Sequence, residues 1–453
     1  MKRPTVAAPK AVHGHWPALQ PHAETYALAL QFQFQQSEWW SPERLLRQQL
    51  GQAQKLIRHA ARTVPFYAHR LAETARLPTG RLTIEAFREI PVLTRKEIQD
   101  AGPALETTAL PAGHGPTVSV QTSGSTGRPI KVKGSAVTRT YGHAFTMRSH
   151  LWHGRDLAAT SVVIRPPRPG IEPGRRHRWA PLPETGPGLA IDARHSMEAI
   201  FEALLKADPI YLQCHPYMVL GMVLRSETTG RRPGRLREIR TYGEALEPWI
   251  RERCRAVWGV EIADSYSAEE FGHIAHQCPE AEGLHVMAES VLVEVLDDEG
   301  WPCAEGETGR VVVTGLQNFA TPLIRAELGD VATVGGPCVC GRGLPVLARV
   351  LGRVTQFLRY PSGETQFPDV LLHSLTPEVP IRQYQLVQRT LDDILVNLVV
   401  ARPLAAAEEE RIRETLIERL RHPFNFEFVY LDEIPRAPSG KFEFFRSELV
   451  DRT

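Results

Sequence analysis

The 453-residue chain has little cysteine, almost no net charge and no long apolar run. Six cysteines in a chain of this size do not make a disulfide framework. With 53 basic against 52 acidic residues the formal net charge is +1. That balance gives no general attraction to nucleic acid or to an anionic membrane surface. The longest apolar stretch, residues 217–224, is far too short to span a bilayer. Lys2 and Arg3 are not followed by an apolar h-region, so no secretory signal is expected and the cytoplasm is the default location.

What remains is a chain with 42% hydrophobic and 23% charged residues, as in a soluble globular protein. Its length exceeds one ordinary core, so two or more domains are expected. Residues 1–22, rich in Pro, Ala and His, are expected to be poorly ordered. Ser41-Pro42-Glu43 offers an N-cap with proline at the first helical position. Thr94 starts a second capped helix. Helical and strand patterns alternate over 135–265: helices at 197–207, 216–225 and 248–258, strands at 209–213 and 260–264. Such alternation predicts a doubly wound α/β sheet. From 289 the alternation Val291, Val293, Val295, a turn and then Val311 to Val313 predict antiparallel β structure. A smaller α+β unit follows, with strands near 383–387 and 394–400 and an amphipathic helix over 406–420.

The most informative local feature is Thr122-Ser123-Gly124-Ser125-Thr126-Gly127, directly after the predicted strand 117–121. Two glycines allow close approach of backbone N–H groups to an anion, and four hydroxyls add donors, which suits a triphosphate. It is not a Walker A loop, because no Gly-Lys-Ser/Thr closes it. Alone, such a loop reads as an ordinary surface turn. It is joined, in order, by Tyr242-Gly243-Glu244-Ala245, Asp264-Ser265-Tyr266-Ser267-Ala268-Glu269-Glu270, Arg325 through Asp330, Gly352-Arg353 and Pro438-Ser439-Gly440-Lys441. In this order and spacing the chain resembles the adenylate-forming (acyl-CoA synthetase-like) superfamily, and most of all its phenylacetate–CoA ligase-like branch.

The resemblance implies a large N-terminal adenylation domain, residues 23–353, built of doubly wound sheets plus a β subdomain. A small mobile α+β C-terminal domain, residues 354–453, completes the chain. It implies ATP-dependent activation of a carboxylic acid as an acyl-AMP, the acid aryl or heteroaryl, and transfer to coenzyme A. By resemblance Thr122, Ser123, Gly124, Ser125, Thr126 and Gly127 hold the β- and γ-phosphates. Gly243, Glu244 and Ala245 lie along adenine, Asp264 reads its amino group and Tyr266 stacks on it. Asp330 accepts the ribose hydroxyls, Arg353 stands near ribose and phosphate, and Glu270 binds Mg2+, with Glu269 as its rival. Lys441 is the mobile lysine that bridges the acid and the α-phosphate. Adenylation needs no strong base, because the carboxylate is already the nucleophile; it needs positioning and charge neutralisation.

Three features depart from the family pattern. Gln356 stands where an acidic hinge residue is usual, and residues 361–364 replace a Gly-rich loop. The segment 131–135 also lacks the aromatic that lines the acyl pocket of phenylacetate ligases. Transfer to an amine or to a carrier-protein thiol, activation of an unusual small acid, and a catalytically inactive adenylate-binding protein therefore stand as alternatives. A carrier protein and a second copy of the chain are candidate partners beside the small-molecule acid.

Cys214 and Cys254 sit in apolar surroundings and are expected to be inert core thiols. Cys278, His285, Cys338 and Cys340 offer three soft thiolates and one imidazole, a set suited to a closed tetrahedral Zn2+ of structural role. Cys303 and His276 are rival ligands. Arg165, Arg168, Arg175, Arg176 and Arg178 crowd one Pro/Gly-rich loop and read either as a solvated surface or as an anion clamp.

Overall fold

The computed structural model describes residues 22–71, 80–121, 130–168, 170–182, 184–353, 358–366, 368, 379–435, 442 and 444–449. The loop 122–127, Gln356 and Lys441 lie outside the described residues.

Eleven strands form one continuous sheet. Its first half is parallel: β3 (Ser161–Arg165), β4 (Gly188–Asp192), β5 (Tyr211–Cys214), β6 (Glu238–Tyr242) and β7 (Glu261–Ala268) pair side by side. Helices Met197–Ala207, Pro216–Thr229 and Pro248–Trp258 connect them. The second half is antiparallel, running through β8 (Gly272–Gln277), β9 (Leu284–Val286), β10 (Val291–Leu296), β11 (Thr308–Gly315), β12 (Ala326–Gly335) and β13 (Val346–Arg353). The expected doubly wound and antiparallel parts are thus present, joined edge to edge at the β7–β8 hairpin. A separate antiparallel pair joins β1 (Val118–Gln121) to β2 (Lys131–Gly134). The smaller unit has the sheet order β18 (Asn425–Tyr430), β17 (Asp393–Val400), β16 (Ile381–Gln388), β19 (Phe445–Ser447), with helix Ala406–Leu420.

The local signals work as chemistry predicts. Ser41 caps helix Pro42–Thr63 through Arg44 N–H, and Thr94 with Glu97 forms a reciprocal capping box on helix Arg95–Ala101. Helix Met197–Ala207 buries Ile200, Phe201 and Leu204 on one face. Each such side chain contributes roughly 1.5–3 kcal/mol on burial. Helix His22–Ser37 was not anticipated. Its polar and apolar residues are mixed around the axis, and it is held by packing: Phe34 stacks on Phe145, ring centroids 4.9 Å apart, and the Arg148 guanidinium lies over Phe34. Cys214 and Cys254 are fully buried in the parallel core. The unusual segment 361–364 forms a tight hairpin turn between β14 (Leu358–Arg359) and β15 (Thr365–Gln366), with Gly363 at φ 86°. Tyr360 beside it donates to Leu420 O at 2.8 Å and so docks the hairpin on the helix of the smaller unit.

Candidate functional site

Strand ends place the polar side chains. Thr241 and Asp264 are register partners on parallel β6 and β7, and the Thr241 hydroxyl donates to Asp264 Oδ1 at 2.6 Å. Burial pushes the Asp264 carboxyl above its ordinary value, and that hydrogen bond works against the rise. Gly243 follows β6 at φ 79°, a left-handed conformation that favours glycine. This turn carries Glu244 and Ala245. Glu244 Oε2 accepts the Tyr217 N–H at 3.2 Å, and Oε1 accepts the Phe442 N–H at 2.6 Å. Phe442 is the residue after Lys441 in sequence. The smaller unit therefore meets the β6 end at this point, supported by Phe442 and Phe444 on the Tyr217 ring at 5.5 and 5.6 Å.

Asp330 and Arg353 are cross-strand partners on β12 and β13. Asp330 Oδ2 accepts the Tyr266 hydroxyl at 2.7 Å, and its Oδ1 stands 3.7 Å from Arg353 Nε. Glu269 and Glu270 occupy the β7–β8 turn. Glu269 is exposed, whereas the Glu270 side chain is 6% exposed and lies 3.8 Å from Arg95 Nη1. Burial raises the Glu270 carboxyl above its ordinary value, while Arg95 and Arg353 pull it back. The structure thus brings Tyr266, Glu270, Asp330 and Arg353 together in one cluster.

Arg95 was missed by sequence reading. Leu93 bridges to Ala326 and exchanges backbone bonds with Arg325 and Glu327, which lays the first turn of helix Arg95–Ala101 beside β12. Nothing within residues 91–101 foretells that long-range contact. Of the five loop arginines, Arg175 pairs with Glu172 on the surface and Arg178 bonds Leu182 O. Arg165 and Arg168 instead reach the electrostatic surroundings of Tyr242.

A cavity of about 270 Å³ lies beside the Glu269–Glu270 turn. Helix Ala136–Trp152 forms one wall, with Tyr141, Gly142 and Phe145; Phe271 and His273 form another. Segment 131–135 contributes Val132, Gly134 and Ser135 to the lining, and the aromatic rings come from Tyr141, Phe145 and Phe271 instead. Behind that wall is a buried polar network also unseen in the sequence. His150 sits between Arg155 and Arg240, each 3.3 Å away, and Arg155 Nε donates to Glu238 at 2.6 Å. His273 Nε2 is 3.1 Å from Thr146 Oγ1.

Cys278, His285, Cys338 and Cys340 place their ligand atoms within 4.8 Å of one another. Cys278 and Cys338 Sγ atoms are 3.6 Å apart, and Cys340 Sγ is 3.2 Å from His285 Nε2. Bonds of about 2.0–2.3 Å to a tetrahedral Zn2+ give ligand separations near these values. Burial pushes the Cys278 thiol up to about 12 and pulls the His285 imidazolium down to about 4. A cation is what would stabilise thiolates here. Cys303 and His276 stand outside this group; His276 Nδ1 is 3.1 Å from Ser265 Oγ. Trp152 packs edge-on to His285, and Arg342 lies over both Trp39 and Trp152, so the cluster ties the antiparallel sheet to the N-terminal helices.

The fold is that of the adenylate-forming ligases, a class that includes AMP-forming acid–CoA ligases. A 2-hydroxyisobutyryl-CoA ligase in its post-adenylation state, bound to 2-HIB-AMP, shares the fold at a TM-score of 0.70 and 18% identity, over 88% of this chain and 89% of that one. The same ligase with 2-HIB-AMP and CoA in the thioesterification state scores 0.59. In sequence the chain is similar to phenylacetate–CoA ligases. The phenylacetate-coenzyme A ligase of Thermus thermophilus is 27% identical over 389 residues, 80% of this chain and 82% of that one. Residues 370–448 match the CapK C-terminal domain family, and the protein CapK of Staphylococcus aureus is 28% identical over 214 residues, 44% of each chain.

Proposed function

We propose that this protein is an ATP-dependent acid–CoA ligase of the cytoplasm, which adenylates an aryl or heteroaryl carboxylic acid and passes the acyl group to coenzyme A. The observation that carries the reading is the Phe442 N–H on Glu244 Oε1, because Phe442 directly follows Lys441 in sequence and Glu244 belongs to the segment expected to lie along adenine.

Adenine lies along Gly243, Glu244 and Ala245 near Asp264, and the ribose hydroxyls exchange with the Tyr266 hydroxyl for Asp330. Residues 122–127 hold the β- and γ-phosphates. Glu270, rather than exposed Glu269, is the carboxylate for Mg2+, since it is buried beside two guanidiniums and Asp330. Mg2+ there supplies charge neutralisation on the triphosphate. The acid occupies the cavity beside the Glu270 turn, its ring against Tyr141, Phe145 and Phe271. A carboxylate oxygen attacks the α-phosphorus, the α–β bridging P–O bond breaks, and pyrophosphate leaves with the electron pair. Arg353 and Lys441 oppose the negative charge spreading over the phosphates. The coenzyme A thiolate then attacks the acyl carbon and AMP leaves. Residues 354–453 form the unit that moves between the two steps. Cys278, His285, Cys338 and Cys340 would hold a Zn2+ of structural role, since four side-chain ligands would complete a tetrahedral set.

Product mass tests the reading. With ATP, Mg2+, coenzyme A and an aryl acid, the expected products are acyl-CoA, AMP and pyrophosphate. AMP without thioester, with turnover restored by an amine or a carrier protein, would replace coenzyme A as acceptor.

A further inference from the structure

The sequence places single glycines inside three helices, and the structure shows a different reason at each. A Cβ at Gly221, in helix Pro216–Thr229, would come within 2.6 Å of Met197, so that glycine permits close helix packing. Gly51, in helix Pro42–Thr63, is exposed, and its Cβ would enter solvent. Gly142, in the middle of helix Ala136–Trp152, is half-buried, yet its Cβ would meet no atom of the described residues within 4 Å. The space it would enter is the cavity that Gly142 itself lines. Glycine is the least favourable ordinary residue in a helix interior after proline. Here no neighbour among the described residues demands it, and what it preserves is open volume.

That volume is bounded by fixed groups. Phe145 stacks on Phe34, and Tyr141 lies 6.0 Å from Phe145, so both rings are packed at the cavity wall. On the next turn the Thr146 hydroxyl donates to Gly142 O at 2.9 Å and holds the helix closed at this point. We infer that Gly142 sets the depth of the acid-binding cavity, and that the acid selected is one whose planar ring lies against this bare stretch of helix. The inference rests on the acid-adenylation reading and adds a specificity-determining residue to it.

The test is acid-dependent ATP–pyrophosphate exchange by the full-length protein and by Gly142→Ala and Gly142→Leu, with benzoate and phenylacetate as ring acids and acetate and propionate as short acids. One added methyl in a fitted pocket changes discrimination by about tenfold or more. The ratio of kcat/KM for ring acids to that for short acids should fall about tenfold in Gly142→Ala and further in Gly142→Leu. Over the same series Gly142→Ala should melt at or above the wild-type temperature, because alanine favours the helix and nothing is displaced. Loss of ring-acid activity together with unchanged or raised melting is a combination that a structural defect would not produce. An unchanged ring-to-short ratio in both variants, or a Gly142→Ala protein that melts well below wild type, overturns the role of Gly142 while leaving adenylation standing. A wild-type protein that exchanges with none of these acids, nor with a wider acid panel, overturns the adenylation reading and this inference with it.

Discussion

The cluster of Cys278, His285, Cys338 and Cys340 and the cluster of Glu270, Asp330, Arg353 and Arg95 lie on the same continuous sheet but are partnered differently. In the first, four soft donors face one another within 4.8 Å and are packed over by Trp152 and Arg342. In the second, the ion pairs are long, 3.7 and 3.8 Å, and the charges remain balanced but loosely engaged. A closed set of like donors suits a permanent cation. Loosely paired opposite charges suit groups that exchange partners when an anion and a metal arrive. The comparison separates a stability element from a chemical one.

The largest effect should come from the lysine proposed to act with the open cluster. Lys441→Ala should lower pyrophosphate exchange about hundredfold or more and leave ATP binding near wild type, because its charge is used mainly in the transition state. Exchange rates and equilibrium ATP binding, measured side by side, check this. The closed cluster should respond in the opposite currency. Purified protein should carry about one zinc per chain, and Cys338→Ser should lower zinc content and the melting temperature together, as read by metal analysis and calorimetry. Zinc-free protein that melts like wild type would make the two clusters alike after all.

The histidines between the clusters sharpen the comparison through pH. Burial holds His150 well below the ordinary value of 6.5 and brings His153 and His273 to about 4, with Arg155 and Arg240 adding to the depression and Glu238 opposing it at His153. These groups are neutral when folded and charge when unfolded. Their stability contribution is therefore complete above pH 6.5 and is lost as pH falls from 6.5 towards about 4. The slope is about 1.4 kcal/mol per pH unit for each histidine. Denaturant unfolding between pH 7 and 5 measures it. The smallest effect is expected at Asp330→Ala, which removes a contact common to ground and transition states. The ATP KM should rise about tenfold, more than kcat falls.

Much of this was legible in the sequence, for reasons that differ by element. Caps are local, so Ser41 and Thr94 marked their helices correctly. The cysteine set was legible because few side chains share its chemistry and they converge in space. The cluster of Tyr266, Glu270, Asp330 and Arg353 was readable through resemblance alone; no local rule joins residues that meet only through the β12–β13 register and the β7–β8 turn. Arg95, Gly142 and the His150 network escaped for the same reason. Each acquires its setting from a partner far away in the chain: Ala326 for Leu93, the Phe271 and His273 wall for Gly142, Arg240 and Glu238 for the histidines.

The central claim is that the open cluster activates a carboxylic acid with ATP. Acid-dependent exchange of labelled pyrophosphate into ATP, run with Mg2+ and no acceptor, tests it most directly. The expected result is acid-dependent exchange that is fastest with ring-bearing acids and disappears in Lys441→Ala. Exchange absent across a broad acid panel, in protein shown to bind ATP, would contradict it.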